Sequence, residues 1–208
     1  MNFIFIILIF LISAVIARIL IPRILLISLR KKLFDIPDDR KVHKRAIPRL
    51  GGVSFFPTTL FAFCLVYTFR LLGGDSVSTL YASYLLPELL LFACGMTLLY
   101  LTGIADDLVG VRYRQKFVIQ IFCACLFPLS GLWINDLYGL FGIHELSVYV
   151  GIPFTILTVV FITNAINLID GIDGLASGLS SVALLIFTFL FIEKGLWSYA
   201  MLAAGTFG

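Results

Sequence analysis

Apolar runs of bilayer length recur along almost the whole of this 208-residue chain, and that repetition limits its fold more than any motif does. A hydrocarbon core of ~30 Å takes about twenty helical residues at ~1.5 Å each. Runs of this order cover about 2–25, 52–71, 86–104, 117–134, 150–167 and 178–192, and another begins near 197. They are continuous, whereas a membrane barrel needs short alternating segments. With 61% hydrophobic and 13% charged residues, the composition lies far from that of soluble domains. The expectation is an all-α, polytopic helical membrane protein with six full spans and the start of a seventh, forming one domain over 1–208. The opening "MNFIFIILIFLISAVIARIL" lacks a basic leading region, and basic residues follow it, so it reads as a retained helix and not a signal peptide. Cys64, Cys94, Cys123 and Cys125 all sit in apolar runs without metal-ligand spacing and read as packing residues.

Charge orients the spans. Residues 30–49 hold Arg30, Lys31, Lys32, Arg40, Lys41, Lys44, Arg45 and Arg49, and the loop after the third run holds Arg112, Arg114 and Lys116. The segments 73–85 and 135–149 contain no Lys or Arg. By the positive-inside rule the basic loops are cytoplasmic and the N-terminus is outside. Alternation then places 167–177 on the cytoplasmic side without using its own charges. Seven of the twelve acidic residues (Asp35, Asp38, Asp39, Asp106, Asp107, Asp170 and Asp173) fall on that inner face. On the outer side, "NDLYGLFGIHELSVY" (135–149) is short, aromatic and glycine-punctuated, which suggests a β-hairpin with His144 and Glu145 as exposed loop residues.

Three inner segments carry chemistry. Asp106 and Asp107 end an apolar run; adjacent carboxylates repel unless a cation or proton intervenes. On a helix they project ~100° apart, so one can face a divalent ion and the other a reacting group. Arg112, Arg114 and Lys116 follow within ten residues. Acids that hold a metal beside cations that hold phosphate oxygens describe phosphoryl transfer. Cations at this depth also anchor lipid headgroups, and Lys116, which opens the next run, is the one best placed to turn inward. The net positive first loop would attract an anionic nucleotide or headgroup, and its "IPRLGG" combines a rigid turn with two glycines where backbone can approach a ligand. His43 in that loop has an ordinary reading as a solvated histidine.

The third segment, "NAINLIDGIDGLASG" (164–178), places Asn164, Asn167, Asp170 and Asp173 three residues apart beside an apolar run. Spacing of three keeps Asn164 and Asn167 on neighbouring parts of one helix face. Gly171 and Gly174 then break the helix and leave Asp170 and Asp173 in a turn. Helix–helix hydrogen bonding accounts for one or two of these residues; four at one boundary point to function.

Together "HKRAIPRLGG" (43–52), "ADDLVGVRYRQK" (105–116) and "NAINLIDGIDGLA" (164–176) resemble the polyprenyl-phosphate N-acetylhexosamine-1-phosphate transferases of glycosyltransferase family 4. The first loop is closer to the N-acetylglucosamine branch than to the peptidoglycan translocase, which usually has a Thr-Pro-Thr-Met-Gly-Gly type sequence at "IPRLGG". The resemblance implies transfer of N-acetylhexosamine-1-phosphate, GlcNAc-1-phosphate in particular, from a UDP-sugar to undecaprenyl phosphate. UMP leaves, in the first step of a lipid-linked cell-envelope glycan at the bacterial plasma membrane. It implies Mg²⁺ or Mn²⁺ as cofactor, Asp106 and Asp107 as the catalytic pair, Asn167 as a metal ligand and Lys116 as a diphosphate contact. It further implies Asp170, Asp173, His43 and Arg49 as substrate-binding residues. The partners expected are the UDP-sugar, undecaprenyl phosphate, the lipid bilayer and a second copy in a homodimer, with no nucleic acid. Family members also carry a later inner Gly-Asp motif and a further substrate loop, so residues 1–208 read as C-terminally incomplete. A secondary transporter and a non-catalytic fragment that keeps part of the substrate site are the competing readings. Transporters place their key groups near the midplane of repeated halves, whereas these acids cluster at one boundary.

Overall fold

The computed structural model describes residues 2–31, 33–35, 47–48, 50–73, 76–170 and 174–208. Among these residues are seven α-helices: α1 (Asn2–Arg30), α2 (Phe55–Leu72), α3 (Ser76–Val109), α4 (Tyr113–Leu129), α5 (Val148–Ile169), α6 (Leu175–Glu193) and α7 (Trp197–Phe207). Among the described residues, five helical segments are long and apolar enough to cross a bilayer: Asn2–Arg30, Gly51–Leu72, Tyr84–Val109, Val148–Ile169 and Leu175–Glu193. Together they make this a multi-pass membrane protein. The fourth apolar run, read as 117–134, folds as the 17 residues of α4, which starts and ends earlier than the run. Its end is a Schellman motif: Gly131 takes φ 92° and donates to the Pro128 carbonyl at 3.0 Å, while Leu132 donates to the Phe127 carbonyl at 3.0 Å. The same device closes α6 at Gly195, where Gly195 donates to Ile192 and Leu196 to Phe191.

The chain forms two compact units. The first comprises 1–79 and 169–208, with α1 packed against α2 and α7, and α7 against α6. Its seam is built from small residues: Ala200, Ala203, Ala204 and Gly205 are buried on α7, and a Cβ on Gly205 would lie 3.0 Å from Ile9, which is itself fully buried. Close backbone approach of this kind is how helices associate where no hydrophobic force separates lipid from protein. In the same unit, β1 (Phe34–Asp35) pairs antiparallel with β2 (Ile47–Pro48).

The second unit, 80–168, is built on α3, α4 and α5. Gly95 lets α3 approach α4 closely enough for the Cys123 thiol to donate to its carbonyl at 3.5 Å, and the Phe92 and Phe127 rings meet edge to face. At the far end Thr155 accepts from the Ile134 N–H at 2.8 Å, and Gly151 lies under the Trp133 ring. Segment 135–149 is less regular than the expected hairpin. A single antiparallel bridge joins Asp136 to Glu145, and a short 3₁₀ turn, Leu140–Gly142, replaces the strand ends. Positive φ at Tyr138, Gly139, Phe141 and Gly142 turns the chain at the tip, and below it Leu137 N–H donates to the His144 carbonyl at 3.0 Å and Leu146 N–H to the Asn135 carbonyl at 2.8 Å. His144 and Glu145 are exposed there, as expected.

Candidate active site

The sequence that ends α3 also aims its carboxylate. Gly110 adopts φ 72° and donates to the Asp106 carbonyl at 2.9 Å, a single-bond left-handed cap. The reversed chain then presents the Val111 N–H to Asp106 Oδ1 at 2.9 Å. Arg112, extended at φ −60° and ψ 139°, sits at the start of α4. Lys116 rises from the first turn of α4, and its ammonium pairs with Asp106 Oδ2. One oxygen of Asp106 is therefore held by backbone and the other by a cation. Both side chains keep about a third of their surface open, 33% for Asp106 and 35% for Lys116. A pair this open adds little to stability; what it fixes is geometry.

The cations of this loop separate into two kinds. Lys116 turns to the acid. Arg114 instead lies over the neighbouring Tyr113 ring, 5.7 Å from its centroid, and donates from Nε to the Tyr113 hydroxyl at 3.0 Å. Tyr113, Arg112 and Arg114 are all exposed, so these arginines fit the anchoring reading of the loop.

Helix α5 joins this end of the unit through an amide pair. Asn164 Nδ2 donates to Gln120 Oε1 on α4 at 2.8 Å, and also to the Val160 carbonyl at 2.8 Å. Asn164 is thus a helix–helix residue, one of those that structural bonding explains. Gln120 lies one turn beyond Lys116, ~6 Å along α4, and Asn167 lies about one turn beyond Asn164 on α5. Because Ile134 and Thr155 join at the opposite end, α5 runs antiparallel to α4 and brings Asn167 to the same end as Lys116 and Asp106. Asn167 is exposed; Asp107 is half-buried. Gln120 was not singled out by sequence, though an amide in the apolar run four residues after Lys116 was a usable signal.

Asp170 is exposed in the turn after α5 and belongs to the other unit. Gly174 opens α6 at φ 74°, so the helix break expected there is present. Asp173, His43 and Arg49 lie outside the described residues. The oxygen donors at the α3–α4–α5 end are the Asp106 and Asp107 carboxylates and the Asn167 amide. Among the described residues no three His, Cys, Asp or Glu side chains gather into a cluster. This donor set is hard and sparse, which suits a cation that completes its shell with substrate phosphates.

A family model described as glycosyl transferase family 4 matches residues 89–208, which include Asp106, Asp107, Lys116, Gln120, Asn164, Asn167 and Asp170. The chain belongs to glycosyl transferase family 4. Among its relatives in that family, a "Probable undecaprenyl-phosphate N-acetylglucosaminyl 1-phosphate transferase" of Bacillus subtilis strain 168 is 31% identical over 176 residues, 84% of this chain and 45% of the relative. The undecaprenyl-phosphate alpha-N-acetylglucosaminyl 1-phosphate transferase of Yersinia pestis is 30% identical over 85% of this chain and 46% of its own length. A phospho-N-acetylmuramoyl-pentapeptide-transferase of Staphylococcus carnosus is 28% identical over 94% of this chain and 61% of its own length. This family 4 chain thus spans less than half the length of the first two relatives.

Proposed function

We propose that this protein transfers an N-acetylhexosamine-1-phosphate, GlcNAc-1-phosphate above all, from a UDP-sugar to undecaprenyl phosphate at the cytoplasmic face of the bacterial plasma membrane. The observation that carries the proposal is the Lys116–Asp106 pair, set at the same end of the α3–α4–α5 unit as Asn167. In the reaction, an oxygen of the acceptor phosphate bonds to the sugar-bearing phosphorus of the donor. The bond from that phosphorus to UMP breaks, and UMP leaves with the electron pair. Two anionic phosphates must approach, so their charge has to be met by fixed positive groups.

Lys116 supplies a cation already oriented by Asp106, so little reorganisation is needed when a diphosphate oxygen arrives. Asp106, with both oxygens accepting, keeps that cation in place. Asp107, one residue along the same helix, takes the role of positioning the acceptor phosphate and receiving its proton. Asn167, beside the Asp106–Asp107 pair, would hold a Mg²⁺ or Mn²⁺ ion. When bound, that ion would neutralise charge on the transferred phosphoryl group. Asp170, Asp173, His43 and Arg49 are proposed to contact the substrates, following the motifs they belong to. The lipid acceptor and the water-soluble donor are brought together by a site at the ends of apolar helices.

The direct test incubates membranes carrying the protein with radiolabelled UDP-GlcNAc, undecaprenyl phosphate and Mg²⁺. Organic-extractable sugar and a matching release of UMP, both abolished by chelation, are expected. Uptake of a solute driven by an ion gradient, with no UMP released from any UDP-N-acetylhexosamine, would overturn the reading.

A further inference from the structure

We infer that Gln120 is a positioning residue for Asn167, acting through Asn164. The inference rests on the transferase reading for its metal and goes beyond it by giving a role to a residue outside the three motifs. Gln120 lines a largely apolar cavity with Phe92, Gly95, Met96, Cys123 and Thr163, drawn from α3, α4 and α5. A primary amide in such surroundings loses free energy unless it is paired, and the pair it makes is to Asn164 Nδ2 at 2.8 Å. The bond crosses from α4 to α5 about one turn below the two groups that the proposed site needs. Lys116 is one turn away on one helix, and Asn167 about one turn away on the other. Apolar packing alone lets neighbouring helices slide along their axes; a bond between two short amides fixes the axial register. Residues hydrogen-bonded to a metal ligand typically change affinity or activity by about 10–100-fold when removed, and Gln120, one residue further out, is expected at the lower end of that range.

The test uses Mn²⁺ alone as the probe, followed by its free electron paramagnetic resonance signal on the detergent-solubilised protein. Transfer kinetics are measured in parallel. Gln120→Leu is expected to weaken Mn²⁺ binding and to raise the half-saturating Mg²⁺ for transfer by about 10-fold or more. KM for the UDP-sugar at saturating metal is expected to stay put, which a general loss of structure would not allow. The single variant Gln120→Asn, one methylene shorter, should show the same loss. The exchange Gln120→Asn with Asn164→Gln keeps donor, acceptor and combined reach, and should restore most of the native affinity. If Gln120→Leu does not accumulate, the comparison of the single Asn variant with the exchange decides alone. Native Mn²⁺ affinity in Gln120→Asn, or no recovery in the exchange, would overturn the inference. A native protein that binds Mn²⁺ but forms no lipid-linked product would instead remove the transferase reading, a result distinct from the other two.

Discussion

The Lys116 ammonium is tied to the Asp106 carboxylate across a glycine turn, so this cation is oriented before any substrate arrives. If that cation meets the diphosphate, Lys116→Met should lower kcat for transfer by on the order of 10²-fold or more, the usual loss for one preorganised charge-stabilising donor. Lys116→Arg should recover only part of it, because a planar guanidinium does not replace a compact ammonium. Full activity in Lys116→Met, measured as UMP release, would remove Lys116 from the site.

Asp107→Asn keeps the size of the side chain and removes its charge. Turnover should be lost while the protein still inserts into membranes at the native level, as read by a transfer assay beside quantitative immunoblotting. A variant that turns over normally would leave Asp107 without its assigned role.

Gly110 separates conformational from steric effects. A Cβ there meets nothing within 4 Å, yet φ is 72°. Gly110→Ala should therefore cost only about 1 kcal/mol, from the left-handed backbone. The same change disturbs the turn that points Val111 at Asp106. A small fall in melting temperature with a disproportionate fall in kcat is the expected pattern; equal losses in both would mean that the turn serves stability alone.

Gly151 is the contrasting case. A Cβ there would fall inside contact distance of the Trp133 ring and 2.6 Å from the Ile134 carbonyl oxygen. Overpacking at one such point costs about 1–3 kcal/mol or more. Gly151→Ala should lower melting temperature and yield, and the fraction that folds should keep native KM and metal dependence. A selective change in KM would show that this end of the unit reaches the site.

Much of this was legible in the sequence, because membrane-length apolar runs and glycine stops are strong local signals. Gly174 reads as a helix break and is one; Gly110, Gly131 and Gly195 also mark helix boundaries, though the fourth apolar run reads through Gly131 to 134. What pattern could not supply was pairing. Four polar residues spaced by three looked alike, yet Asn164 bonds to a neighbouring helix while Asn167 stays exposed. Spacing within one helix carries no information about what the facing helix presents, and so Gln120 was missed. The 135–149 hairpin, expected because the segment is short, aromatic and glycine-punctuated, is present in reduced form: the Asp136–Glu145 bridge is flanked by bonds from Leu137 N–H to the His144 carbonyl and from Leu146 N–H to the Asn135 carbonyl.

The claim on which the account turns is that the ends of α3 and α5 share one side of the membrane, opposite the 135–149 segment. Single cysteines at Val109 (82% exposed), Asn167 and Tyr149 (91% exposed), in a chain whose four native cysteines are alanine, can be probed with a membrane-impermeant maleimide. The account predicts that intact cells, with any outer envelope opened to the reagent, label Tyr149→Cys alone, and that Val109→Cys and Asn167→Cys react only after the plasma membrane is permeabilised. Labelling of Val109→Cys and Asn167→Cys from opposite sides would contradict it.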